Sequence, residues 1–219
     1  ADADLEQAAD SCVQGRLLNT GQSCIAAKRF VVVEEIRDAF REKVLARLEE
    51  ANDRMGDPMD PDTRLGPMAR ADLRDDLHDQ VRRSVERGAR LELGGEVPDR
   101  EGWWYPATLL TDVGPGMPAY EEELFGPVAV IITAEDEEDA LRIANDTDFG
   151  LGAAVYTGDR EKGERLARDV LEAGNCFVNG LVRSDPRLPF GGIKESGFGR
   201  ELSPLGVREF TNVKTVWVE

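Results

Sequence analysis

One of the three cysteines in the chain, Cys24, lies in a setting suited to nucleophilic chemistry. It ends the segment Asn19-Thr20-Gly21-Gln22-Ser23-Cys24, which follows a predicted helix. A catalytic thiol needs partial exposure and nearby donors that favour the thiolate. A glycine turn can leave backbone N–H groups free to bind an oxyanion. An isolated cysteine is more often a small buried side chain, and we prefer that interpretation for Cys12 and Cys176.

A second candidate is the acidic run Glu121-Glu122-Glu123, which stands directly before Leu124-Phe125-Gly126-Pro127 and a predicted buried strand. A carboxylate at the mouth of a sheet can accept two ribose hydroxyls, as in dinucleotide sites, and an aromatic beside it can pack on a nicotinamide ring. Acidic runs are normally solvated surface. The spacing alone therefore leaves both interpretations open.

The third candidate is the glycine-rich stretch of residues 189–201, which follows Ser184 and its neighbours Arg183 and Arg187. Its glycine spacing lacks the GxxxxGK[ST] pattern of a P-loop. The arginines could bind a carboxylate, or they could be ordinary loop polarity. A tight structural turn explains the glycines as well as a site does.

Composition excludes several classes of function. The 44 acidic residues outnumber the 27 basic ones and give a net charge of −17, which disfavours nucleic acid as a partner. A single histidine, His78, and the lack of any CxxC pair argue against a metal site and a disulfide framework. We therefore expect no metal and a reducing, cytoplasmic compartment. No apolar run approaches the ~20 residues of a membrane span, so no membrane association is expected.

Regular elements that could position these residues alternate along the chain. Apolar spacing predicts helices at residues 5–18, 36–48, 69–87, 136–145 and 161–171, and strands at 30–33, 91–93, 107–110, 128–133, 152–156 and 176–178. This alternation predicts an α/β domain whose largely parallel sheet is covered by helices. Residues 179–202 form a long irregular stretch of the kind that is usually functional or disordered. The alternating tail, residues 214–218, predicts a last strand.

Taken together and in this order, the motifs resemble the aldehyde dehydrogenase superfamily. The resemblance covers essentially the whole chain, and it looks nearest to bacterial NAD(P)-dependent succinate-semialdehyde dehydrogenases. The matching motifs are Asn19-Thr20-Gly21-Gln22-Ser23-Cys24, Leu65-Gly66-Pro67-Met68, Glu122-Glu123-Leu124-Phe125-Gly126-Pro127, Asn145-Asp146-Thr147-Asp148-Phe149-Gly150-Leu151, Pro189-Phe190-Gly191-Gly192-Ile193-Lys194 and Ser196-Gly197-Phe198-Gly199-Arg200-Glu201.

The resemblance implies a three-layer α/β catalytic domain and a covalent mechanism. The Cys24 thiolate would attack an aldehyde to form a thiohemiacetal, and hydride transfer to NAD or NADP would give a thioester that water hydrolyses. By the same resemblance Glu123 binds the nicotinamide ribose, and Phe125 packs near the nicotinamide. Phe190 would wall the aldehyde pocket, and Ser184 would hold the carboxylate of succinate semialdehyde.

The resemblance also implies that a part of the enzyme is missing. Relatives are about twice as long, and their N-terminal half supplies the dinucleotide fold, the general base and an oxyanion-hole asparagine. We therefore expect residues 1–210 to be a catalytic domain and residues 211–219 an oligomerisation strand that pairs with another copy in a homo-oligomer. This piece alone should have little or no dehydrogenase activity. Many of these enzymes carry a carboxylate-binding arginine where this chain has Leu18, so Arg183 or Arg187 would have to compensate.

Two alternatives stay open at the level of sequence. The chain could be a non-catalytic oligomerisation module that uses its tail to pair with partners. It could also be an esterase or acyltransferase that uses Cys24 without a dinucleotide. The absence of a base next to Cys24 in sequence disfavours the latter, although catalytic partners need not be sequence neighbours.

Overall fold

A four-stranded sheet forms the centre of the computed structural model, which describes all residues 1–219. Its strands are β1 (Arg29–Val33), β2 (Arg90–Leu93), β3 (Thr108–Thr111) and β4 (Val128–Ala134), in the order β1-β4-β3-β2. Strand β4 runs parallel to both β1 and β3, and only the edge strand β2 is antiparallel. The predicted, largely parallel sheet is thus confirmed.

Helices cover both faces of this sheet because its central strand is apolar on both sides. Val128, Val130 and Ile132 of β4 belong to one buried cluster, whereas the alternating residues Ala129 and Ile131 belong to the other. Successive side chains of a strand point to opposite faces, so a strand buried on both sides reads as a continuous apolar run. The result is the three-layer arrangement that the resemblance implies.

The two helical layers are formed by different helices. Residues of α1 (Leu5–Leu17) and α2 (Glu34–Asp53) pack into one cluster, and residues of α3 (Ala71–Glu86), α4 (Pro118–Glu121) and α5 (Glu137–Asn145) pack into the other. Leu77 and Val81 of α3 are buried at helical spacing, as the sequence predicts. Helix α3 ends before Gly88, whose φ of 108° suits the left-handed conformation after a helix.

The rest of the chain forms smaller elements beside the sheet. They are β5 (Phe149–Gly150), β6 (Gly152–Val155), α6 (Arg160–Asp169), β7 (Asn175–Val178), β8 (Ile193–Lys194) and α7 (Ser203–Glu209). Strands β6 and β7 form a parallel pair, and β5 and β8 an antiparallel pair. Neither pair is hydrogen-bonded to the four-stranded sheet. A largely apolar groove of about 710 Å³ is lined by β1 on one side and β6 on the other.

The predicted helices and strands agree with the structure to within a few residues, apart from the tail. Residues 212–219 form no helix or strand within the chain, and the tail side chains are exposed. Pairing of this segment with another copy stays a prediction. Helices α4 and α7 and the two-residue strands β5 and β8 were not predicted, because each is too short to show a period. None of the helices has the length and apolar character needed to cross a bilayer.

Candidate active site

The turn that carries Cys24 has an unusual backbone. A short 3₁₀ turn, Leu18–Gly21, follows α1, and within it φ is 52° at Asn19, 57° at Thr20 and 73° at Gly21. Positive φ is easy for glycine and tolerable for asparagine, but it is strained for a β-branched threonine. Three such residues in a row reverse the chain sharply between α1 and Cys24. Strain of this kind persists only where the surrounding structure fixes it.

Several polar contacts fix this turn. The Asn19 Nδ2 group donates to the Gln22 carbonyl at 3.0 Å, and the Thr20 hydroxyl donates to the Gly66 carbonyl at 3.4 Å. The Ala69 N–H donates to the side-chain oxygen of Gln22 at 2.9 Å. Residues 66–69 lie in the loop before α3 that holds the Leu65-Gly66-Pro67-Met68 motif. That motif is thus explained as a support for the turn.

Cys24 itself is exposed, as a nucleophile must be. It lies in a tight turn closed by the Ala26 N–H, which donates to the Ser23 carbonyl at 2.9 Å. The backbone N–H groups of Ser23, Cys24 and Ile25 donate to no acceptor in the chain. Three successive free donors around an exposed thiol are the arrangement needed to hold an oxyanion at the carbon that the thiol attacks.

The other two cysteines differ from Cys24 in their surroundings. Cys12 lies on α1 toward the sheet, and burial raises the pKa of its thiol to about 12. The pKa of Cys176 is also raised by burial, and its Sγ lies 3.8 Å from the carbonyls of Leu171 and Ala173. Neither forms a disulfide. A thiol with a raised pKa is a poor nucleophile at neutral pH, which supports the structural interpretation of both.

Glu123 and Phe125 line the same groove as Cys24. The Glu123 side chain is exposed, and Phe125 is half-buried. Close backbone packing brings the two segments together, because a Cβ atom added at Gly21 would collide with the Gly126 carbonyl. Gly21 therefore has to be a glycine, since its φ of 73° and its approach to the Gly126 carbonyl both exclude a side chain.

Two cations, the buried Arg16 and the half-buried Lys28, lie between these segments, and no sequence motif indicated either of them. Arg16 is 1% exposed, and its guanidinium donates to the Gly21 carbonyl at 2.7 Å and to the Leu124 carbonyl at 3.3 Å. Burial lowers its pKa to about 10. Lys28 donates to the Glu122 carbonyl, and burial lowers its pKa to about 8. The signal for Arg16 was its place four residues after Cys12, on the buried stripe of α1.

Ser184 and Phe190 lie apart from this groove. Ser184 is exposed. Phe190 is 9% exposed and lines a smaller pocket of about 210 Å³ that also includes Arg183 and Asp185. The Phe190 backbone pairs with that of Glu201 through bonds of 2.9 and 2.7 Å. The structure thus brings Cys24, Glu123 and Phe125 to one groove but does not bring Ser184 or Phe190 into it.

The two arginines near Ser184 are not equivalent. Arg187 forms a bidentate pair with Asp185 at 2.9 and 2.6 Å, and this pairing lowers the pKa of that carboxyl to about 2. Arg183 forms no ion pair within the chain. It is therefore the guanidinium with charge to offer a ligand. No group of three or more His, Cys, Asp or Glu side chains is arranged to hold a metal ion.

The residues present fit one end of a nicotinamide dinucleotide. The exposed Glu123 carboxylate makes no hydrogen bond or ion pair of its own, while its carbonyl accepts from Gln80 at 3.2 Å. A free carboxylate on a fixed backbone suits a pair of ribose hydroxyls, and the half-buried Phe125 offers an aromatic surface beside it. Both lie on the groove that also holds the free N–H groups of Cys24 and Ile25.

Comparisons with known proteins identify the family of this chain. Residues 1–216 match the model of the aldehyde dehydrogenase family. The chain is 52% identical over 216 residues to the succinate semialdehyde dehydrogenase [NAD(P)+] Sad of Escherichia coli, covering 99% of this chain and 46% of that protein. It is 49% identical over 216 residues to the succinate-semialdehyde dehydrogenase [NADP(+)] 1 of Mycobacterium tuberculosis, with 99% and 47% covered.

Solved structures give the same result. The succinic semialdehyde dehydrogenase of Streptococcus pyogenes, in complex with NADP+, superposes with a TM-score of 0.94 at 38% identity, covering 99% of this chain and 47% of that one. An NAD-dependent aldehyde dehydrogenase of Sinorhizobium meliloti gives 0.93 at 38% identity, with 98% and 42% covered. The chain spans about half the length of the curated relatives it matches. It belongs to the aldehyde dehydrogenase family.

Proposed function

We propose that this chain supplies the nucleophile for NAD(P)-dependent oxidation of an aldehyde to a carboxylic acid. The observation that carries the proposal is the exposed Cys24 thiol with three successive unbonded N–H groups at residues 23–25. Hydrolases and dehydrogenases can both use such a thiol. Family membership, together with Glu123 and Phe125 on the same groove, favours the dehydrogenase.

The chemistry of the chain's own residues follows from this arrangement. The Cys24 sulfur bonds to the aldehyde carbon, and the carbonyl electron pair moves to the oxygen, where backbone N–H groups hold the charge. When bound, the oxidised nicotinamide ring supplies the hydride acceptor for that carbon. In the resulting thioester, water adds to the carbonyl carbon and the Cys24 sulfur leaves as thiolate. The product is the acid, and the thiol is ready for another cycle.

The cofactor would be held only in part by this chain. Glu123 would accept hydrogen bonds from the ribose hydroxyls at the nicotinamide end, and Phe125 would pack near the ring. The general base, the second oxyanion donor and the phosphate-binding turn would come from the N-terminal half that the family resemblance implies. NAD and NADP differ at the far ribose, so the choice between them would rest with that half.

The substrate we propose is succinate semialdehyde or a similar small carboxylated aldehyde. Two relatives at about 50% identity carry that name. Arg183, which has no ion pair in the chain, and the exposed Ser184 would bind the substrate carboxylate. Arg183 would take the role of the carboxylate-binding arginine that many of these enzymes carry at the position of Leu18. Arg187 is already occupied by Asp185. Phe190 lines the smaller pocket together with Arg183 and would wall the end of the aldehyde site that holds the carboxylate.

Alkylation of the 219-residue chain tests the nucleophile. Iodoacetamide at neutral pH should modify Cys24 in the folded chain and leave Cys12 and Cys176 unmodified, as read by peptide mass spectrometry. Succinate semialdehyde should slow this reaction by occupying the thiol. The matched control is Cys12→Ser, which should react like the parent chain. An unreactive Cys24, or alkylation that the aldehyde does not slow, would refute the proposal.

The same assay tests the substrate. Arg183→Ala should weaken protection by succinate semialdehyde about tenfold, because a charge-assisted hydrogen bond is lost, and leave protection by butanal unchanged. Arg187→Ala is the control and should affect neither aldehyde. Equal weakening for both aldehydes would count against a carboxylate site. Added NAD should produce no turnover by this chain alone. Hydrolysis of an activated ester that is lost in Cys24→Ser would instead favour the esterase.

We also propose that residues 211–219 pair with another copy of the chain. The family resemblance implies a C-terminal strand with this role. Val213, Val216, Trp217 and Val218 are each at least 74% exposed. Such a run of apolar side chains on an unpaired segment marks a contact surface. Sedimentation should show self-association that is lost on deletion of residues 211–219.

The three unpaired cysteines support a reducing compartment, the cytoplasm.

A further inference from the structure

We propose that Arg16 and Lys28 are positioning residues that hold the Glu123 segment at a fixed place against the Cys24 turn. The inference rests on the proposed function for the roles of Glu123 and Cys24. It goes beyond that function by naming the groups that set their relative position. Neither cation lies in any of the six motifs that resemble the family.

The backbone on both sides of Glu123 is held by hydrogen bonds from side chains. The Glu122 carbonyl accepts from Lys28, the Glu123 carbonyl accepts from Gln80 at 3.2 Å, and the Leu124 carbonyl accepts from Arg16 at 3.3 Å. Three consecutive carbonyls are thus fixed, and none of them belongs to a strand or helix. A segment outside regular structure has no ladder to orient it, so these bonds take that role.

Arg16 also reaches the other segment. Its second terminal nitrogen donates to the Gly21 carbonyl at 2.7 Å, three residues before Cys24. A guanidinium is a planar fork that can hold two acceptors in a fixed relation, which an ammonium cannot do as well. Bonds from a charged donor are stronger than neutral ones, and burial strengthens them further. One side chain therefore ties the nucleophile turn to the segment that carries Glu123.

Stability alone does not account for these charges. Removing a charge from water is costly, and an apolar side chain of similar size is often as stabilising or more so. Arg16 donates only to backbone carbonyls and leaves its buried Nε without a partner. Both cations lie close enough to Glu123 for its charge to offset part of the lowering of their pKa by burial. Neither cation bonds the Glu123 carboxylate. They bind the backbone and leave the carboxylate free for a ligand.

Hydrogen exchange of the 219-residue chain, read by mass spectrometry, tests the inference without any enzymatic activity. Arg16→Met should accelerate exchange about tenfold or more in peptides covering residues 18–26 and 119–128, because each segment loses a charged bond. Lys28→Met should accelerate exchange only in residues 119–128. Arg29→Met is the matched control. It removes another guanidinium with a buried Nε, which donates to the carbonyl of Ile143 in α5, and should leave exchange in residues 18–26 unchanged.

Arg16→Lys is a second variant that tests the inference if Arg16→Met does not fold. It keeps the charge but holds the two carbonyls in a fixed relation less well than a guanidinium, so at least one of the two segments should exchange faster than in the parent. The inference would be overturned if Arg16→Lys kept the parent rate of exchange in both segments. It would also be overturned if Arg16→Met kept the fold but exchanged faster across the whole chain. The alkylation assay is separate. Loss of Cys24 protection by aldehyde with the exchange pattern intact would refute the function but not the positioning.

Discussion

The Cys24 turn and the loop of residues 183–190 are both irregular, yet they are held in different ways. The turn has buried anchors, since Arg16, Thr20 and Gly21 are all buried, and its bonds reach residues far away in sequence. The loop is mostly exposed, and its side-chain bonds are local, such as those between Arg187 and Asp185. One segment belongs to the core of the fold, and the other rests on its surface.

This difference suggests a division of labour for the proposed reaction. The thiol and its oxyanion donors need a geometry held to within a fraction of an ångström, which buried anchors can supply. A substrate-recognition loop can change its side chains at little cost when they are exposed and bonded to one another. The comparison therefore predicts large stability effects in the turn and small ones in the loop. Three measurements test this contrast.

The largest effect is expected from Gly21→Ala. The new Cβ would overlap the Gly126 carbonyl, and φ at Gly21 is 73°, so both a clash and backbone strain oppose the change. We expect a loss of about 4 kcal/mol in the free energy of unfolding, measured with urea. Gly116→Ala is the matched control, because φ is 84° there but no atom lies within 4 Å of the added Cβ.

The control separates the two causes. Gly116→Ala should cost about 1 kcal/mol, the price of the positive φ alone. Equal losses for the two variants would mean that the contact between the Cys24 turn and Gly126 does not constrain the structure. The buried anchoring of the turn would then be wrong.

An intermediate effect is expected from Lys28 and depends on pH. Burial, aided by Arg29 and Arg16 and opposed by Glu123 and Glu121, lowers the pKa of Lys28 from 10.5 to about 8. Between these values the unfolded chain binds more protons than the folded chain, so this group makes the free energy of unfolding rise with pH. The difference between the parent chain and Lys28→Met should change by about 2 kcal/mol between pH 7.5 and 10, in favour of the parent.

Urea unfolding of the parent and of Lys28→Met at both pH values gives this difference. Subtracting one free energy of unfolding from the other cancels the contributions of the other titrating groups. Lys214→Met, in the exposed tail, controls for the loss of one positive charge. A parent-minus-variant difference that stays flat across the range would show that Lys28 is not desolvated. The Glu122 carbonyl would then be held only weakly.

Much of the fold could be predicted from the sequence, because the long elements show their period. The continuous apolar run of β4 reflects burial on both faces, and the four-residue spacing of Phe40, Val44 and Leu48 in α2 reflects burial on one face. The prediction for Cys24 also agrees with its placement, since it is exposed on a glycine-containing turn. Its role, like those of Glu123 and Phe125, stays a prediction.

What the sequence did not reveal depends on contacts between distant segments. Arg16 reads as an ordinary charged residue near a helix end, and only the fold shows that its guanidinium meets two carbonyls, one of them 108 residues away. The positive φ of Thr20 has no signature in residue type, because threonine rarely adopts it. The separation of Phe190 from the Cys24 groove likewise depends on how residues 179–202 fold back, and no period reports that path.

The smallest effect is expected from Asp185→Asn in the exposed loop. The bonds from Arg187 lower the pKa of Asp185 to about 2, so the folded chain binds fewer protons there than the unfolded chain between pH 2 and 4. The contribution to stability is therefore present above about pH 4 and fades as the pH falls toward 2. Because solvent screens an exposed ion pair, the urea midpoint at pH 7 should not change measurably for Asp185→Asn or for Arg187→Gln. A midpoint shift as large as that of Gly21→Ala would place the loop among the buried anchors and erase the contrast with the Cys24 turn.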